Sequence, residues 1–184
     1  MGLAMRYSRR WLRSGAILCL GAAVLTLNGC GDDPEEERFR QELVDKALND
    51  DTRRAGDAFL EENASKPGVQ VKPSGLQYKV LREGEGASPG PQDVVVVHYE
   101  GTNIDGEVFD SSYKRGEPAR FPLNQVIRGW TEGLMDMKPG GERMLYLPAD
   151  LAYGARSPSP AIPANSALIF KVELLEVQKS ATGE

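Results

Sequence analysis

The feature that most constrains the fold is the run of residues 93–100, in which four consecutive valines precede a histidine and a tyrosine. β-Branched side chains favour strands because they pack well on a pleated surface. Pro-Gly-Pro at 89–91 bounds this strand at its start. Residues 103–106 end in an Asp-Gly pair, which is typical of a tight hairpin turn, and residues 107–110 supply the returning strand. The pattern therefore predicts an antiparallel hairpin.

Further strands and one helix complete this part of the chain. Apolar alternation and short apolar runs predict three more strands, at 75–81, 143–148 and 167–177. Residues 126–137 are the one helical stretch, closed by Pro139-Gly140-Gly141. Antiparallel neighbours that enclose one short helix indicate an α+β domain, which we place at residues 67–184.

A helical segment is predicted before this domain, at residues 35–66. Apolar residues recur there at three-to-four spacing among charges: Phe39, Leu43, Ala47 or Leu48, Ala55 and Phe59. Glutamates at 35–37 favour a helix start, because carboxylates stabilise the positive end of the helix dipole. Residues 49–52 and Gly56 are poor helix formers and predict a break. The simplest expectation is that the apolar face packs on the chain's own domain or that the helix is partly frayed.

The first thirty residues have the pattern of an export signal. Residues 1–14 carry four arginines and no acid, and residues 15–27 are uncharged and almost all apolar. As a helix, the apolar stretch would be about 20 Å long, which is short of the roughly 30 Å hydrocarbon core of a bilayer. A secretory signal is therefore favoured over a membrane-spanning helix.

The tetrapeptide Leu27-Asn28-Gly29-Cys30 resembles the bacterial lipobox. The resemblance implies that residues 1–29 are a cleaved signal peptide, that the Cys30 sulfur carries lipid, and that residues 30–34 form a lipidated tether to a membrane. A plain signal peptide with a chance cysteine is the alternative, and paired arginines leave twin-arginine export open beside the general route. Gly31 replaces the aspartate that often marks inner-membrane retention. This favours a lipid-anchored envelope protein on the outer membrane, facing the periplasm, in a double-membraned cell.

Charge and residue counts exclude several classes of function. Four of the 22 basic residues lie in 1–29, so the remainder has 18 basic against 27 acidic residues, a net charge of −9. Nucleic acid is therefore not an expected partner, because phosphate binding needs a basic face. His98 is the only histidine, and Cys19 and Cys30 form no CxxC pair. These counts exclude a zinc site or a catalytic centre built around a second histidine, and we expect neither a metal nor a cofactor.

Seven short segments stand out, in this order, within residues 75–178: Val-His-Tyr-Glu-Gly at 97–101, Asp-Gly at 105–106, Phe-Asp-Ser-Ser at 109–112, Val-Ile-Arg-Gly-Trp at 126–130, Leu-Ala-Tyr-Gly at 151–154, Ile-Pro at 162–163 and Leu-Ile-Phe at 168–170. Together they resemble the FKBP-type peptidyl-prolyl cis-trans isomerases, the macrolide-binding family. The resemblance covers 104 of 184 residues. Any one segment alone would be weak evidence, but seven in the family's order are specific.

The resemblance implies both a fold and a site. The fold is an FKBP-like antiparallel sheet, a half-barrel wrapped around one short helix, here preceded by the helical segment. Trp130 becomes the floor of a hydrophobic substrate-binding pocket with these walls: Tyr99, Phe109, Val126, Ile127, Tyr153, Ile162 and Phe170. The implied catalytic groups are Asp110 at the rim, the Ile127 backbone N–H and the Tyr153 hydroxyl. Proline-containing polypeptides are the implied substrates, and macrolides the implied inhibitors.

The chemistry of such a site requires little more than the pocket. Rotation about a peptide bond crosses a barrier of roughly 18–20 kcal/mol, because the amide is stabilised by resonance. Twisting the amide reduces its charge separation, so an apolar pocket binds the twisted form more tightly than the planar forms, which is sufficient for catalysis. A thousandfold acceleration requires about 4 kcal/mol of such preference. No nucleophile, metal or cofactor is needed.

Alternatives exist for single residues. Asp110, which precedes two serines, also fits a turn cap, and aromatic strand residues also fit core packing. His98 neighbours Tyr99 on a strand and must point to the opposite face, so it is predicted to be structural. Ala119 stands where several small relatives place a pocket aromatic, which predicts one thinner wall. The proline-rich loop 156–161 is expected to overhang the pocket and to influence which residue before proline is accepted.

Three functions fit these features. The leading interpretation is an isomerase that assists the folding of envelope proteins. The second is a chaperone whose pocket binds proline segments or unfolded chains, with incidental turnover. In the third, the helical segment recruits a partner and the domain is a scaffold. Many bacterial relatives carry helical dimerisation segments in this position, so residues 35–66 are also interpreted as the arm of a homodimer.

Overall fold

The computed structural model describes residues 34–48 and 50–180 of the chain. The predicted signal peptide at 1–29 and the predicted lipid site at Cys30 lie outside the described residues. Within the described ranges, no helix has the length and apolar character needed to cross a membrane.

Two helices precede the sheet, α1 at Pro34–Leu48 and α2 at Asp51–Ala64, which confirms the predicted helical segment and a break within it. The break is stabilised by Asp50, whose extended backbone begins α2 and whose carboxylate accepts a hydrogen bond from the Thr52 N–H at 2.7 Å. Gly56 does not interrupt the helix, contrary to the prediction. A Cβ atom there would lie 2.9 Å from the Ala167 side chain, so glycine permits a close approach between α2 and the domain.

The two helices differ in what they contact. α2 packs on the sheet domain, where Asn63 Nδ2 donates to Gln77 Oε1 at 2.9 Å and Gln77 Nε2 donates to the Leu60 carbonyl at 2.7 Å. These side chains are buried, and burial requires that polar groups find partners. α1, by contrast, exposes Phe39 and Leu43. The expectation that the segment packs on its own domain therefore holds for α2.

Seven strands form one antiparallel sheet in the spatial order β1-β2-β6-β7-β3-β4, with β5 also paired to β3. Their bounds are β1 Val69–Val71, β2 Gln77–Arg82, β3 Val94–Thr102, β4 Val108–Ser111, β5 Ala119–Pro122, β6 Glu142–Leu147 and β7 Leu168–Gln178. The five strands predicted from the sequence are all present, and β1 and β5 are additional. The α+β fold class is confirmed.

Strand β3 pairs with three other strands, two of which follow one another along the same side. It pairs with β7 along one side, and on its other side with β5 and then with β4. Where the edge changes from β5 to β4, the chain forms a four-residue helix, α3, at Ser112–Arg115. The buried Ser112 hydroxyl replaces the missing strand, because it accepts from the Tyr99 N–H at 2.8 Å and donates to the Tyr99 carbonyl at 3.2 Å. Tyr99 is thereby held in strand geometry at a gap in the sheet.

Helix α4, at Arg128–Leu134, is shorter than the predicted stretch 126–137. Val126 and Ile127 are extended, and the helix begins only after Ile127. β-Branched side chains lose rotamer freedom in a helix, which favours this late start. A 3-10 turn, Leu123–Gln125, precedes the two extended residues.

Two glycines bring α4 close to strand β6. A Cβ atom at Gly129 would lie 2.4 Å from the Leu147 side chain, and one at Gly133 would lie 2.8 Å from the Leu145 side chain. Real Cβ atoms cannot approach so closely, so larger residues would force the helix away from the sheet. The close packing fixes the position of Trp130 between the two glycines.

Candidate active site

A cavity of about 440 Å³ lies between α4, strands β3, β4, β5 and β7, and the loop that joins β6 to β7. Trp130, in the first turn of α4, lines the cavity although only 4% of its surface is exposed. Most of the lining is aromatic or aliphatic, with a few polar groups at the margin. The lining residues are Tyr99, Phe109, Asp110, Phe121, Gln125, Val126, Ile127, Trp130, Tyr153, Ser159, Ile162 and Phe170.

Three aromatic rings hold the indole of Trp130 edge-on. Tyr99, Phe170 and Phe121 lie with their ring centroids 5.1, 5.3 and 5.5 Å from that of Trp130, at interplanar angles of 84–89°. Edge-to-face contacts of this kind are favourable because a positive ring edge meets a negative ring face. Within residues 34–48 and 50–180, the buried Trp130 Nε1 has no hydrogen-bond partner. The indole is therefore fixed by packing rather than by a polar contact.

Gly101 on β3 makes room for two further rings. A Cβ atom at this position would lie 2.5 Å from Phe109 and 2.9 Å from Phe170. Both rings use that space and meet each other edge-on at 5.6 Å between centroids. Along a strand, every second side chain points to the inner face of the sheet. Here the missing side chain lets rings from β4 and β7 close the wall.

The polar rim is built on Asp110. Its carboxylate accepts hydrogen bonds from the Tyr99 hydroxyl and from the Arg115 guanidinium. Arg115 also donates to the Tyr99 oxygen at 3.1 Å and lies over the Tyr99 ring, 5.4 Å from its centroid. Burial, with the hydrogen bond to Asp110, raises the pKa of Tyr99, so the phenol remains a donor at neutral pH. The three side chains hold one another in a fixed arrangement beside the cavity.

Two polar groups beside the cavity are free to bind a ligand. Among the described residues, neither the Tyr153 hydroxyl nor the Ile127 backbone N–H has a hydrogen-bond partner. Tyr153 is 38% exposed. Burial of its ring, with the nearby Asp110 carboxylate, raises the pKa of Tyr153, so it too stays protonated. Both residues line the cavity, so the Tyr153 phenol and the Ile127 amide N–H are the candidate donors of hydrogen bonds to a ligand.

The loop between β6 and β7 supplies the remaining wall. Ile162 is 6% exposed, and its N–H donates to the Ser159 carbonyl at 3.0 Å. The Ser157 hydroxyl lies 2.8 Å from the Ile162 carbonyl and 2.9 Å from the Ser159 carbonyl. These hydrogen bonds within the loop hold it against the cavity, where the sequence predicted that it would lie.

All nine residues predicted for the pocket line this cavity, and their roles in binding or catalysis stay predictions. Three lining residues were not named in advance, Phe121, Gln125 and Ser159, although Ser159 lies in the loop 156–161 that was expected to overhang the pocket. Phe121 lies on the same strand as Ala119 and two residues beyond it, so its ring supplies a wall where Ala119 predicted a thin one. Strand β5 is too short to show an alternation of buried and exposed residues. The available signal was the aromatic Phe121, two positions after Ala119, where a pocket aromatic was expected.

His98 lies on the opposite face of β3, away from the cavity. Its ring stacks on Tyr113 at 4.7 Å between centroids, and its Nδ1 lies 3.0 Å from the Ser112 hydroxyl. It therefore packs on α3 as the strand alternation predicts. In the part of the chain that the structure describes, no group of three or more His, Cys, Asp or Glu side chains is arranged as metal ligands would be.

Comparison with known proteins identifies two family matches. Residues 85–175 match the family described as FKBP-type peptidyl-prolyl cis-trans isomerase. Residues 32–80 match the family described as the domain amino terminal to FKBP-type peptidyl-prolyl isomerase. Together the two matches cover both the helices and the sheet.

Individual relatives agree with this assignment. The chain is 49% identical over 150 residues to the outer membrane protein MIP of Legionella longbeachae, covering 78% of this chain and 64% of that protein. It is 56% identical over 122 residues to the peptidyl-prolyl cis-trans isomerase Mip of Coxiella burnetii, covering 66% of this chain and 53% of the relative. The chain thus spans between half and two thirds of the length of these curated relatives.

A solved structure is also similar. The crystal structure of FkpA from Escherichia coli superposes with a TM-score of 0.68 at 45% sequence identity, over 78% of this chain and 68% of that one. The family match at residues 85–175 contains every residue that lines the cavity. The chain belongs to the family of FKBP-type peptidyl-prolyl cis-trans isomerases.

Proposed function

We propose that this chain is a peptidyl-prolyl cis-trans isomerase that binds the twisted X-Pro amide in the cavity over Trp130. The observation that supports this best is the cavity itself. It combines an indole enclosed by three rings with two donors, of Tyr153 and Ile127, that have no partner among the described residues. Its volume, about 440 Å³, lies in the range of small-ligand sites and leaves space for a prolyl ring with its neighbouring residues.

The proposed mechanism is differential binding. A prolyl ring on the indole places its amide in a largely apolar cavity, where the twisted, less dipolar amide is bound more tightly than either planar form. The Ile127 N–H and the Tyr153 hydroxyl donate to carbonyl oxygens of the peptide. Asp110 is held by Tyr99 and Arg115 beside them and sets the polarity of the rim. No bond to the protein forms or breaks.

The test is an isomerisation assay with a proline peptide on residues 31–184 and on the variants Asp110→Ala and Tyr153→Phe. Tyr153→Phe removes one donor to the peptide, and Asp110→Ala removes the acceptor that holds Tyr99 and Arg115. At about 1 kcal/mol of lost transition-state preference in each variant, we expect kcat/KM to fall roughly five- to tenfold. Asp105→Ala and Tyr113→Phe, which lie outside the cavity, are the matched controls. A wild type without activity would reject the enzyme, and unchanged rates in both variants would reject the assigned roles.

A second function, a binding chaperone, is favoured by one observation. The side chains of Phe39 and Leu43 on α1 are 63% and 51% exposed, and such apolar surface can bind an unfolded chain or a second copy. Binding of a proline peptide, measured beside the isomerisation assay, separates this function from the first. A chaperone would bind the proline peptide with only incidental acceleration of its isomerisation.

We propose that the exposed face of α1 joins two copies into a dimer. An apolar helix face that remains open is stabilised when it packs on a matching face. Sedimentation of Phe39→Ser with Leu43→Ser should give a monomer where the wild type is a dimer. Glu42→Ser, on the same helix, is the control. A monomeric wild type would remove the proposal.

We also propose that the chain is held at the cell envelope by lipid on Cys30. The lipobox-like Leu27-Asn28-Gly29-Cys30 supports this, as does the name of a relative, outer membrane protein MIP. Labelled palmitate should enter the wild type and Cys19→Ala but not Cys30→Ala. A labelled Cys30→Ala protein would reject the anchor. In this location the substrates are envelope proteins that contain proline.

A further inference from the structure

The first two turns of α2 contact the loop that forms one wall of the cavity. The Arg53 guanidinium donates to both carboxylate oxygens of Asp150, at 2.6 and 3.1 Å. Asp50, which caps the helix, accepts from Asn165 Nδ2 at 3.4 Å. Gly56 lies against Ala167. Positions 50, 53 and 56 follow one another at three-residue intervals and so share one face of the helix.

The contacted residues are the two ends of a single loop. Asp150 lies in a 3-10 turn, Ala149–Leu151, three residues before Tyr153. Asn165 and Ala167 lie at the other end, just after Ile162 and just before β7. The two ends are joined by the Asn165 N–H, which donates to the Gly154 carbonyl at 2.7 Å. The loop therefore has a closed base, and α2 spans that base.

Two residues at the base of the loop have left-handed backbone conformations. Asn165 is buried and has a φ of +61°, in the left-handed region that residues other than glycine seldom adopt. Gly154, on the opposite side of the base, has a φ of +58°. Asparagine tolerates this region better than most residues, and its side chain is held in part by Asp50.

We infer that α2 is a positioning element of the candidate site, in which Arg53 and Asp50 hold the two ends of the loop so that Tyr153 and Ile162 keep their places in the cavity wall. Neither Arg53 nor Asp50 lines the cavity. Packing behind the loop is incomplete, since a second cavity of about 230 Å³ separates Thr52 and Ala55 from Pro163 and Ser166. The directed polar contacts at the loop ends, with the Gly56 contact, therefore determine where the loop lies.

The ion pair between Arg53 and Asp150 is bidentate and orients both side chains. The Arg53 side chain is only 17% exposed, whereas that of Asp150 is 65% exposed. The hydrogen bonds from Arg53 lower the pKa of Asp150, so the pair remains charged at neutral pH. A two-pronged arginine contact orients its partner as well as attracting it, which a lysine cannot reproduce.

The chain provides a matched control within the same turn. Arg54 is the next residue, but it pairs with the exposed Asp51 on its own helix and not with the loop. The Arg54 pair is exposed and the Arg53 pair is exposed on its Asp150 side, so we expect the urea midpoints of both alanine variants to stay close to that of the wild type. An effect of Arg53→Ala that Arg54→Ala lacks then arises from the position of the loop.

The experiment compares the wild type with Arg53→Ala, Arg53→Lys and Arg54→Ala, with two measurements on each. Hydrogen exchange at the Asn165 and Gly154 amides reports the order of the loop base without requiring activity. We expect exchange in Arg53→Ala to be about fivefold faster or more, as local opening produces. We expect kcat/KM for a proline peptide to fall about three- to tenfold, because small misplacements of site residues are costly. Arg53→Lys should be intermediate, and Arg54→Ala unchanged.

The activity measurement rests on the proposed isomerase function, but the exchange measurement does not. An inactive wild type would remove the proposed function, and exchange alone would then decide whether α2 holds the loop. Unchanged exchange in Arg53→Ala, or equal acceleration in Arg54→Ala, would overturn the inference. So would faster exchange in Arg53→Ala that leaves kcat/KM unchanged.

Discussion

Tyr99 combines two contacts that depend on different parts of one side chain. Its ring meets the indole of Trp130 edge-on, and its hydroxyl bonds to Asp110 and Arg115. Tyr99→Phe keeps the first contact and removes the second. We expect a loss of about 1 kcal/mol in the free energy of unfolding, typical of one hydrogen bond. We also expect kcat/KM to fall roughly three- to tenfold, because Asp110 loses one of the groups that fix it. Urea unfolding and the isomerisation assay measure the two effects.

The control for this prediction is Tyr113→Phe. Its hydroxyl lies 3.5 Å from Glu173 on the outer face of the sheet, so its removal should leave the assay unaffected. If Tyr99→Phe lost stability but kept full activity, the phenol would be a packing residue and not part of the rim.

Asp93 is a structural carboxylate whose environment predicts a pH dependence. It accepts hydrogen bonds from the Gly90 N–H, the Ser180 N–H and the Lys179 ammonium. These contacts, that of Lys179 first, lower the pKa of Asp93 from 3.8 to about 2. A carboxylate with a lowered folded-state pKa stabilises the protein above its unfolded pKa, and the contribution is lost as pH falls through the folded pKa.

Asp93→Asn should therefore be less stable than the wild type at pH 7, and the difference should shrink between pH 4 and pH 2, the interval between the two values of the pKa. Urea midpoints across this range measure the difference. Asp105→Asn is the control, because Asn-Gly suits the same hairpin turn. A difference that stayed constant down to pH 2 would show that Asp93 acts through shape and not through charge.

At the scale of elements, the contact between α4 and β6 makes a graded prediction. Gly129→Ala would place a Cβ atom 2.4 Å from both Cγ and Cδ2 of Leu147, whereas Gly133→Ala would mainly meet the ends of Leu145 at 2.8 and 3.0 Å. Overpacking costs about 1–3 kcal/mol, against a gain of up to about 1 kcal/mol from replacing glycine in a helix. We expect Gly129→Ala to be clearly destabilising and Gly133→Ala to be milder.

Urea unfolding measures these losses, and binding of a proline peptide reports whether Trp130 has moved with the helix. Weaker binding is expected for Gly129→Ala alone. Equal losses in the two variants would mean that Leu147 can move aside as readily as Leu145, and that the glycines do not set the depth of the cavity.

Elements encoded by neighbouring residues could be predicted from the sequence, whereas elements that depend on contacts in the folded chain could not. The alternation of β3 and the Asp105-Gly106 turn are local, so the sequence was sufficient to predict the first hairpin. Helix α3 begins at Ser112, which bonds to Tyr99 on β3, and β5 begins only after α3, so no local pattern signals either element. Val126 and Ile127 have the apolar pattern of the helix, but only the folded chain shows that they are extended and line the cavity.

The same distinction holds within the site. The pocket residues were predicted by family motifs, which record a three-dimensional arrangement that no local pattern contains. Phe121 and Ser159 lie outside those motifs, so Phe121 was not found and Ser159 was expected only as part of the overhanging loop. Gly101 could be recognised as a glycine in a strand, but not as the space that Phe109 and Phe170 share.

At the scale of the whole molecule, the structure raises the question of whether the helical segment and the sheet unfold together. The buried pair Asn63 and Gln77 connects α2 to β2, and Gln77 also bonds to the Leu60 carbonyl. Asn63→Ala would leave the buried Gln77 Oε1 without its donor, at a cost of about 1–3 kcal/mol. Gln77→Leu added to Asn63→Ala should lose less than the two single losses combined, because neither buried partner then remains unsatisfied.

Two probes show whether this loss is global. Trp130 fluorescence in residues 31–184 follows the core of the sheet domain, and circular dichroism at 222 nm follows mainly the helices. If α2 belongs to the same cooperative unit, both probes give one urea transition in the wild type, and Asn63→Ala shifts both equally. If α2 is only an appendage, Asn63→Ala moves the helical signal alone and leaves the fluorescence transition in place. The buried amides and the Gly56 contact lead us to expect coincident transitions, in which case an FKBP domain bounded at residue 67 would lack part of its own stability.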